Sequence, residues 1–264
     1  MIGGKFYTVE VKPTIAASVQ HEGAFSSGDV VFDWTAFEIP KTTAKLVNLT
    51  VLVRPQGNSG PTANTDPYHF IFADNNTVSL GTPHANPNHR PSNDFLGVVQ
   101  VSSSGYTGDT HNSTAVGMAM MGGTADDETV GGPIVMTPNL NVTGCTEGYG
   151  TLYVGGIIRD ASLDFSSIIR LNDASGNMDV SVAGTTIATD GSSMDIREHF
   201  MAGDVLHAHK VGDSSSDNAV IGTVASITDE DDLELTSNFT AGALEDDDFV
   251  YNIHPIRLKL QFEI

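Results

Sequence analysis

Apolar and polar side chains alternate with a period of two along much of the chain, and clusters of Gly, Asn, Asp and Pro break the runs. Successive side chains of a strand point to opposite faces, so this pattern predicts strands joined by turns. Residues 6–11 (FYTVEV) alternate. Residues 30–39 (VVFDWTAFEI) follow a Ser-Ser-Gly-Asp turn and stop at Pro40, and 46–53 (LVNLTVLV) end at Arg54-Pro55. Residues 68–73, 95–101 and 134–136 are shorter candidates. The segment 151–158 (TLYVGGII) carries a double glycine that predicts a bulge or a close backbone approach. Seven or eight such segments in about 160 residues suit an antiparallel β-sandwich of jelly-roll type.

From about Asp173 the texture changes to short runs: 180–182, 204–209, 220–227, 232–236 and 249–253. They predict a small barrel or sandwich of about 80 residues, a size at which a module can fold. The expected organisation is therefore a β-sandwich domain over 1–167 and an acidic β module over 168–254. The last ten residues, PIRLKLQFEI, place Ile256, Leu258, Leu260, Phe262 and Ile264 on one side and Arg257, Lys259, Gln261 and Glu263 on the other. Such a strand requires a partner. Either it returns to the first sheet, which makes the acidic module an insertion, or a neighbouring subunit completes it as an edge strand. One short helix is expected around Asp195–Met201. Met118–Met121 fits a strand or a helical turn equally well.

The fold class is thus all-β: a jelly-roll-like antiparallel β-sandwich plus a small acidic β-barrel or sandwich. Charge adds a second constraint. Lys and Arg number 12 against 33 Asp and Glu, a net of −21. A surface this negative repels phosphate backbones and anionic membranes, so neither nucleic acid nor membrane is an expected partner. Residues 168–254 hold 3 basic and 17 acidic residues, a net of −14, so most of the charge sits in a third of the chain. Cys145 is the single cysteine; an intrachain disulfide is impossible and a buried inert thiol is its ordinary role. The N-terminal MIGGKFYTVEVKP lacks a signal-peptide apolar core, so work outside a cell would call for release by lysis.

Candidate chemistry is sparse. There is no GxSxG elbow, phosphate-binding GxxxxGK[ST] loop, dinucleotide fingerprint or HExxH. The pairs Gly122-Gly123 and Gly131-Gly132-Pro133 have the character of turns. His84 and His89 share one loop. His207 and His209, two apart in a strand, fall on one face where they could share a metal, although no further ligands stand at motif spacing. The runs Asp229–Asp232 (DEDD) and Glu245–Asp248 (EDDD) could chelate Ca²⁺ but lack EF-hand spacing, and turn carboxylates commonly form a solvated face. A glycosidase pair of carboxylates leaves no local motif, and Trp34 is the one tryptophan available for stacking on sugar. Alternation puts Phe32, Trp34 and Ala36 on one face, with Trp34 as a core anchor. No catalytic, cofactor-binding or metal residue is assigned, and no cofactor is expected.

GDVVFDWTAFEIPKTTAKLVNLTVLVRPQG together with the FIFA strand resembles virion structural proteins of marine tailed bacteriophages, especially those infecting cyanobacteria. GDVLHAHKVGDSSSDNAVIGTVASITDEDDLELTSN and the following DDDFVYNIHPIRLKLQFEI resemble a β module recurrent in phage head and tail accessory proteins. The resemblance covers about half the chain and implies a non-enzymatic structural protein, carrying no catalytic residue over. It implies a protein on the particle, bound to a capsid lattice or a tail; the lack of a long spine helix, of nucleotide motifs and of repeats or a heptad stalk, together with the net charge of −21, favours capsid decoration or cement on the outer surface of the virion, after synthesis in the host cytoplasm. The implied partners are the major capsid protein and further copies of itself in a homo-oligomer such as a trimer. A carbohydrate-binding adhesion module on head or tail is the alternative.

Overall fold

The computed structural model describes residues 5–56, 62–88, 94–107, 115–120, 134–138, 146–166, 185–188, 195–209, 219–230, 232–239 and 248–264. Fifteen strands are formed within them. The first eight are β1 (Phe6–Val11), β2 (Val30–Pro40), β3 (Ala44–Val53), β4 (Tyr68–Ala73), β5 (Phe95–Val101), β6 (Tyr106–Thr107), β7 (Ala115–Met120) and β8 (Ile134–Met136). They are followed by β9 (Tyr149–Ile158), β10 (Thr186–Ala188), β11 (Val205–His209), β12 (Ala219–Ile227), β13 (Asp232–Leu235), β14 (Phe249–Asn252) and β15 (Ile256–Glu263). Met118 therefore lies in a strand. The expected strand at 180–182 falls outside the described residues.

Two of the three sheets form the sandwich. One has the order β1-β15-β3-β7-β6, with β8 also on β3; the other has the order β2-β9-β4-β5. When the sandwich strands β1, β2, β3, β4, β5, β7, β9 and β15 are counted one to eight, the sheets read 1-8-3-6 and 2-7-4-5. First pairs with last, second with seventh, third with sixth and fourth with fifth. This is the chain path of an eight-stranded jelly roll. It is an all-β antiparallel sandwich, as the alternation predicts. β15 lies between β1 and β3, in register from Phe6↔Glu263 to Val11↔Leu258 on one side and from Ile256↔Val53 to Glu263↔Lys45 on the other. The rival expectation of an edge strand completed by a neighbouring subunit is thereby corrected: both edges of β15 are filled by its own chain.

Residues between β9 and β15 form the third sheet, β10-β13-β12-β11-β14. It is an open antiparallel sheet, so of the two expected forms the closed barrel is not adopted. Its buried apolar side chains, among them Ile196, Phe200, Leu206 and Tyr251, are continuous with the sandwich core.

The sandwich interior is filled by aromatic and branched side chains. Phe37 of β2 stacks on Phe262 of β15 at a ring separation of 6.2 Å and meets Phe72 edge-on at the same distance, which ties the two sheets face to face. Ile256, Leu258, Leu260 and Phe262 are fully buried, as the C-terminal alternation predicts.

Two helical pieces depart from the sequence expectation. The expected helix at 195–201 is reduced to a single 3-10 turn at Ile196–Glu198, with the Asp195 carboxylate accepting from Arg197 N at 3.0 Å. A five-residue helix, α1 (Ala17–His21), is present where none was expected. It is too short to be stable alone. Packing and buried bonds hold it: Gln20 donates from Nε2 to Ile15 O at 2.8 Å and to Asn252 O at 2.9 Å.

Candidate contact surfaces

With a packed interior, the chemistry available to a partner lies on the outer sheet faces, on the loops and at the junction with the acidic segment. The outer face of β2-β9-β4-β5 is the more apolar. In β2 the pairing with β9 shifts register between Val30 and Phe32 and again between Phe32 and Thr35. The second shift reverses the parity of the strand. Phe32 points into the main core, Trp34 packs on the opposite face with Val30, Ile71, Leu80 and Ile157, and Ala36 is exposed. The expectation that Phe32, Trp34 and Ala36 share one face is therefore wrong, because a bulge adds a residue that simple alternation does not anticipate.

Gly155 and Gly156 serve the two faces in turn. A Cβ on Gly156 would run into the Phe32 ring inside, and one on Gly155 into Leu80 and Trp34 outside. Of the two readings of the double glycine, close approach applies to β9, and the irregularity lies in the opposing β2.

Residues 74–88 close over this outer face. Asp33 holds them there: its Oδ1 accepts from Leu80 N at 2.7 Å and its Oδ2 from Ser79 Oγ at 2.6 Å. Trp34 Nε1 donates to Val78 O at 2.8 Å, and its ring meets Phe95 at 6.2 Å. Phe95 is 41% exposed, and Val98, two strands from Gly155 in the same sheet, is 47% exposed.

The outer face of the other sheet is polar and carries several of the cations of this acidic chain. Lys259 stands opposite Glu10, and Lys45 pairs with Glu263 at 3.7 Å. Arg257, Thr50 and Leu52 continue the face, and Phe6, Met118 and Val135 stand exposed toward its margins.

The junction with the acidic segment is built on Asp204, immediately before β11. Its side chain is fully buried. Oδ2 accepts from Arg54 Nη2 and from Met201 N, at 2.6 and 2.9 Å, and Oδ1 from Arg257 Nη2. Arg54 follows β3 and Arg257 belongs to β15, so one carboxylate of the inserted segment clasps two neighbouring strands of the sandwich. The arginine side chains are only 4% and 12% exposed. Burial pushes the Arg54 guanidinium down, Asp204 opposes this and Arg257 adds to it. Sequence reasoning missed this cluster. Asp204 looks like any turn acid, Arg54 merely follows a strand and precedes Pro55, and Arg257 is one of the alternating polar positions of the last strand, so none of the three carries a further signal.

The sequence candidates occupy structural posts. His207 and His209 do share a face of β11, and α1 covers it: His21 stacks on His209 with ring centres 4.0 Å apart. Tyr251 donates its hydroxyl to Ser166 O at 2.8 Å, so at 2.9 Å His21 Nδ1 is the donor to the Tyr251 oxygen. His84 stacks on Phe25 at 3.9 Å and donates from Nε2 to Val19 O at 2.9 Å. In the DEDD turn Asp229 accepts from Asp232 N at 2.9 Å, while Glu230 lies 3.6 Å from Arg197. Asp248 is buried. Cys145, His89, Asp231, residues 245–247 and the glycines at 122–123 and 131–132 lie outside the described residues. Among the described residues, no three His, Cys, Asp or Glu side chains are grouped to hold a metal.

No protein-family model matches the chain, and no curated protein matches it. A solved structure of a viral major capsid protein, STIV MCP, aligns over 98% of this chain and 96% of that one at 9% identity, with a TM-score of 0.17. At that score the alignment carries no argument about fold or role.

Proposed function

We propose that the protein is a non-enzymatic structural component of a virus particle, decorating and stabilising the outside of a tailed-phage capsid of the marine type that the sequence resembles. The observation that carries this reading is the eight-stranded jelly roll with a filled interior, an architecture shared by viral capsid and lectin domains. A filled sandwich offers a partner its outer surfaces and loops. The distribution of charge supports an orientation. The outer face of the β1-β15-β3 sheet, where the exposed Lys45 and Lys259 stand beside Glu263 and Glu10, faces the major capsid protein, and the acidic segment, net −14, keeps particles apart.

Such a protein stabilises by binding the assembled shell better than free subunits, so that mass action shifts the assembly equilibrium. Locating it on purified particles by cryo-EM tests the reading: density on the outer head surface is the expected result, and density inside the head or confined to the tail refutes it. Particles stripped of the protein are expected to burst at lower temperature and milder osmotic shock than decorated ones.

A second reading, carbohydrate binding, draws on the Trp34–Phe95 pair, where a half-exposed ring on a sheet face could stack on a sugar. Glycan binding by the isolated protein that is lost in Phe95→Ala would favour it.

A further inference from the structure

One row of side chains crosses the outer face of β1, β15, β3 and β8 without a break. The pairings Phe6↔Glu263, Glu263↔Lys45 and Lys45↔Val135 set four residues directly opposite one another, so all four lie on the same face. In order they are aromatic, anionic, cationic and aliphatic. All stand out from the sheet: Phe6 is 63% and Val135 54% exposed, and the Lys45 and Glu263 side chains, 3.7 Å apart, are half-exposed. At the Val135 end the surface is hollow. A groove of about 280 Å³ opens there beside Thr43, Lys45 and Glu263, with Ala44, Val135 and Ile264 as its apolar walls.

We infer that this row is the centre of a two-fold contact between two copies of the chain. An isologous interface requires a patch complementary to itself. Turned about an axis that runs along the strands between Glu263 and Lys45, the row meets its own copy in reverse order. Glu263 then lies over Lys45 of the second copy and Lys45 over its Glu263, so four charges alternate in sign around a square. The Phe6 ring of each copy falls over Val135 of the other, where the groove opens to receive it. One operation matches knob with hole and cation with anion, each twice, and that match selects a second copy as the occupant. The next charged row agrees. It runs Glu10, Lys259, Thr50, Met118, and the same axis sets Glu10 over Met118 and Lys259 over Thr50, so no like charges meet. In these two rows cations and anions balance, although the chain carries −21, and salt largely screens charges more than about 8 Å away. Four strands about 4.8 Å apart and eight residues rising about 3.4 Å each give each copy roughly 19 by 27 Å of face. That is the small end of specific interfaces, so a dimer with a micromolar dissociation constant is expected. The contact stands independently of the virion role; on a particle, the shell and the second copy compete for this face.

Sedimentation velocity on the full chain at concentrations up to about 100 μM, combined with single charge reversals, tests the contact. The wild type is expected to dimerise. Lys45→Glu sets Glu263 over an acid and Glu263→Lys sets Lys45 over a base, so in each variant alone the dissociation constant should rise roughly tenfold or more. Their equimolar mixture should dimerise as the wild type does, since one copy then presents two anions and the other two cations. A role confined to one chain gives no such rescue. Phe6→Ala should weaken the dimer as well. Val98→Lys, on the other sheet, should leave it intact, and melting of the dilute monomer should be unchanged in every variant. A wild type that is monomeric at the highest concentration overturns the inference. So does a dimer indifferent to Lys45→Glu, a mixture of the two reversals that stays monomeric, or a dimer equally sensitive to Val98→Lys.

Discussion

Replacing Asp204 by alanine is the sharpest test of how the inserted segment is fastened. The carboxylate is fully buried between Arg54 and Arg257, whose side chains are themselves almost fully buried. With charge centres about 4 Å apart and an effective dielectric of 20, each attraction amounts to about 4 kcal/mol, against which stand the desolvation of three ions and the mutual repulsion of the arginines. Losing Asp204 removes both attractions and leaves two guanidinium groups uncompensated, while Met201 N loses its acceptor. Cutting one partner from a buried ion network costs about 3–5 kcal/mol, and sharing by two arginines puts this case at the upper end. At about 2–4 °C per kcal/mol for a domain of this size, the melting temperature should fall by roughly 10–20 °C. Urea denaturation followed by calorimetry measures both. The triple replacement Arg54→Met, Asp204→Leu, Arg257→Met should recover most of the loss, because apolar groups of matching volume need no counter-charge. A cost below about 1 kcal/mol for Asp204→Ala, the value of a solvated surface pair, would refute the account of the junction as a buried clasp.

Asp33→Ala should release residues 74–88 from the sheet at a cost of about 1–3 kcal/mol and shift the emission of the single tryptophan to the red, since Leu80 N and Ser79 Oγ lose their acceptor beside Trp34. Gly156→Ala should cost about 1–3 kcal/mol or more because the Phe32 ring it meets is locked in the core, and Gly155→Ala less, since the Leu80 side chain can move; chemical denaturation of the pair ranks them. Burial holds the Asp66 carboxyl above its ordinary 3.8, against the opposing hydrogen bond from Ser162. A raised folded pKa means stability that is complete below the unfolded value and lost as pH rises through the folded one. Asp66→Asn should therefore match or exceed the wild type in melting temperature at pH 7 and lose that advantage at acid pH, as parallel melts would show.

Much of the strand inventory was legible in the sequence, because alternation is a local property imposed by the pleat. The four clean runs at 6–11, 30–39, 68–73 and 95–101 appear as strands within a residue of those bounds. The C-terminal alternation also named its buried face, Ile256 to Phe262. Bulges escaped that reading. One inserted residue in β2 sent Trp34 to the opposite face from Phe32, and nothing in VVFDWTAFEI marks where the extra residue sits. Helix α1 escaped as well, since five residues fold as a helix only against the strands that cover them.

The sequence by itself determined that the chain is made of strands, that its charge is concentrated between 168 and 254, and that the last strand needs partners on an apolar face. Periodicity and composition contain those facts without reference to distance. Only the tertiary structure decided which strands those partners are, that β15 lies between β1 and β3, and that Asp204 reaches Arg54 and Arg257 across 150 and 53 residues of chain. The physical reason is that pairing and ion contacts are chosen by the path of the whole chain: the jelly roll brings first to last and second to seventh, and no window of neighbouring residues records that path.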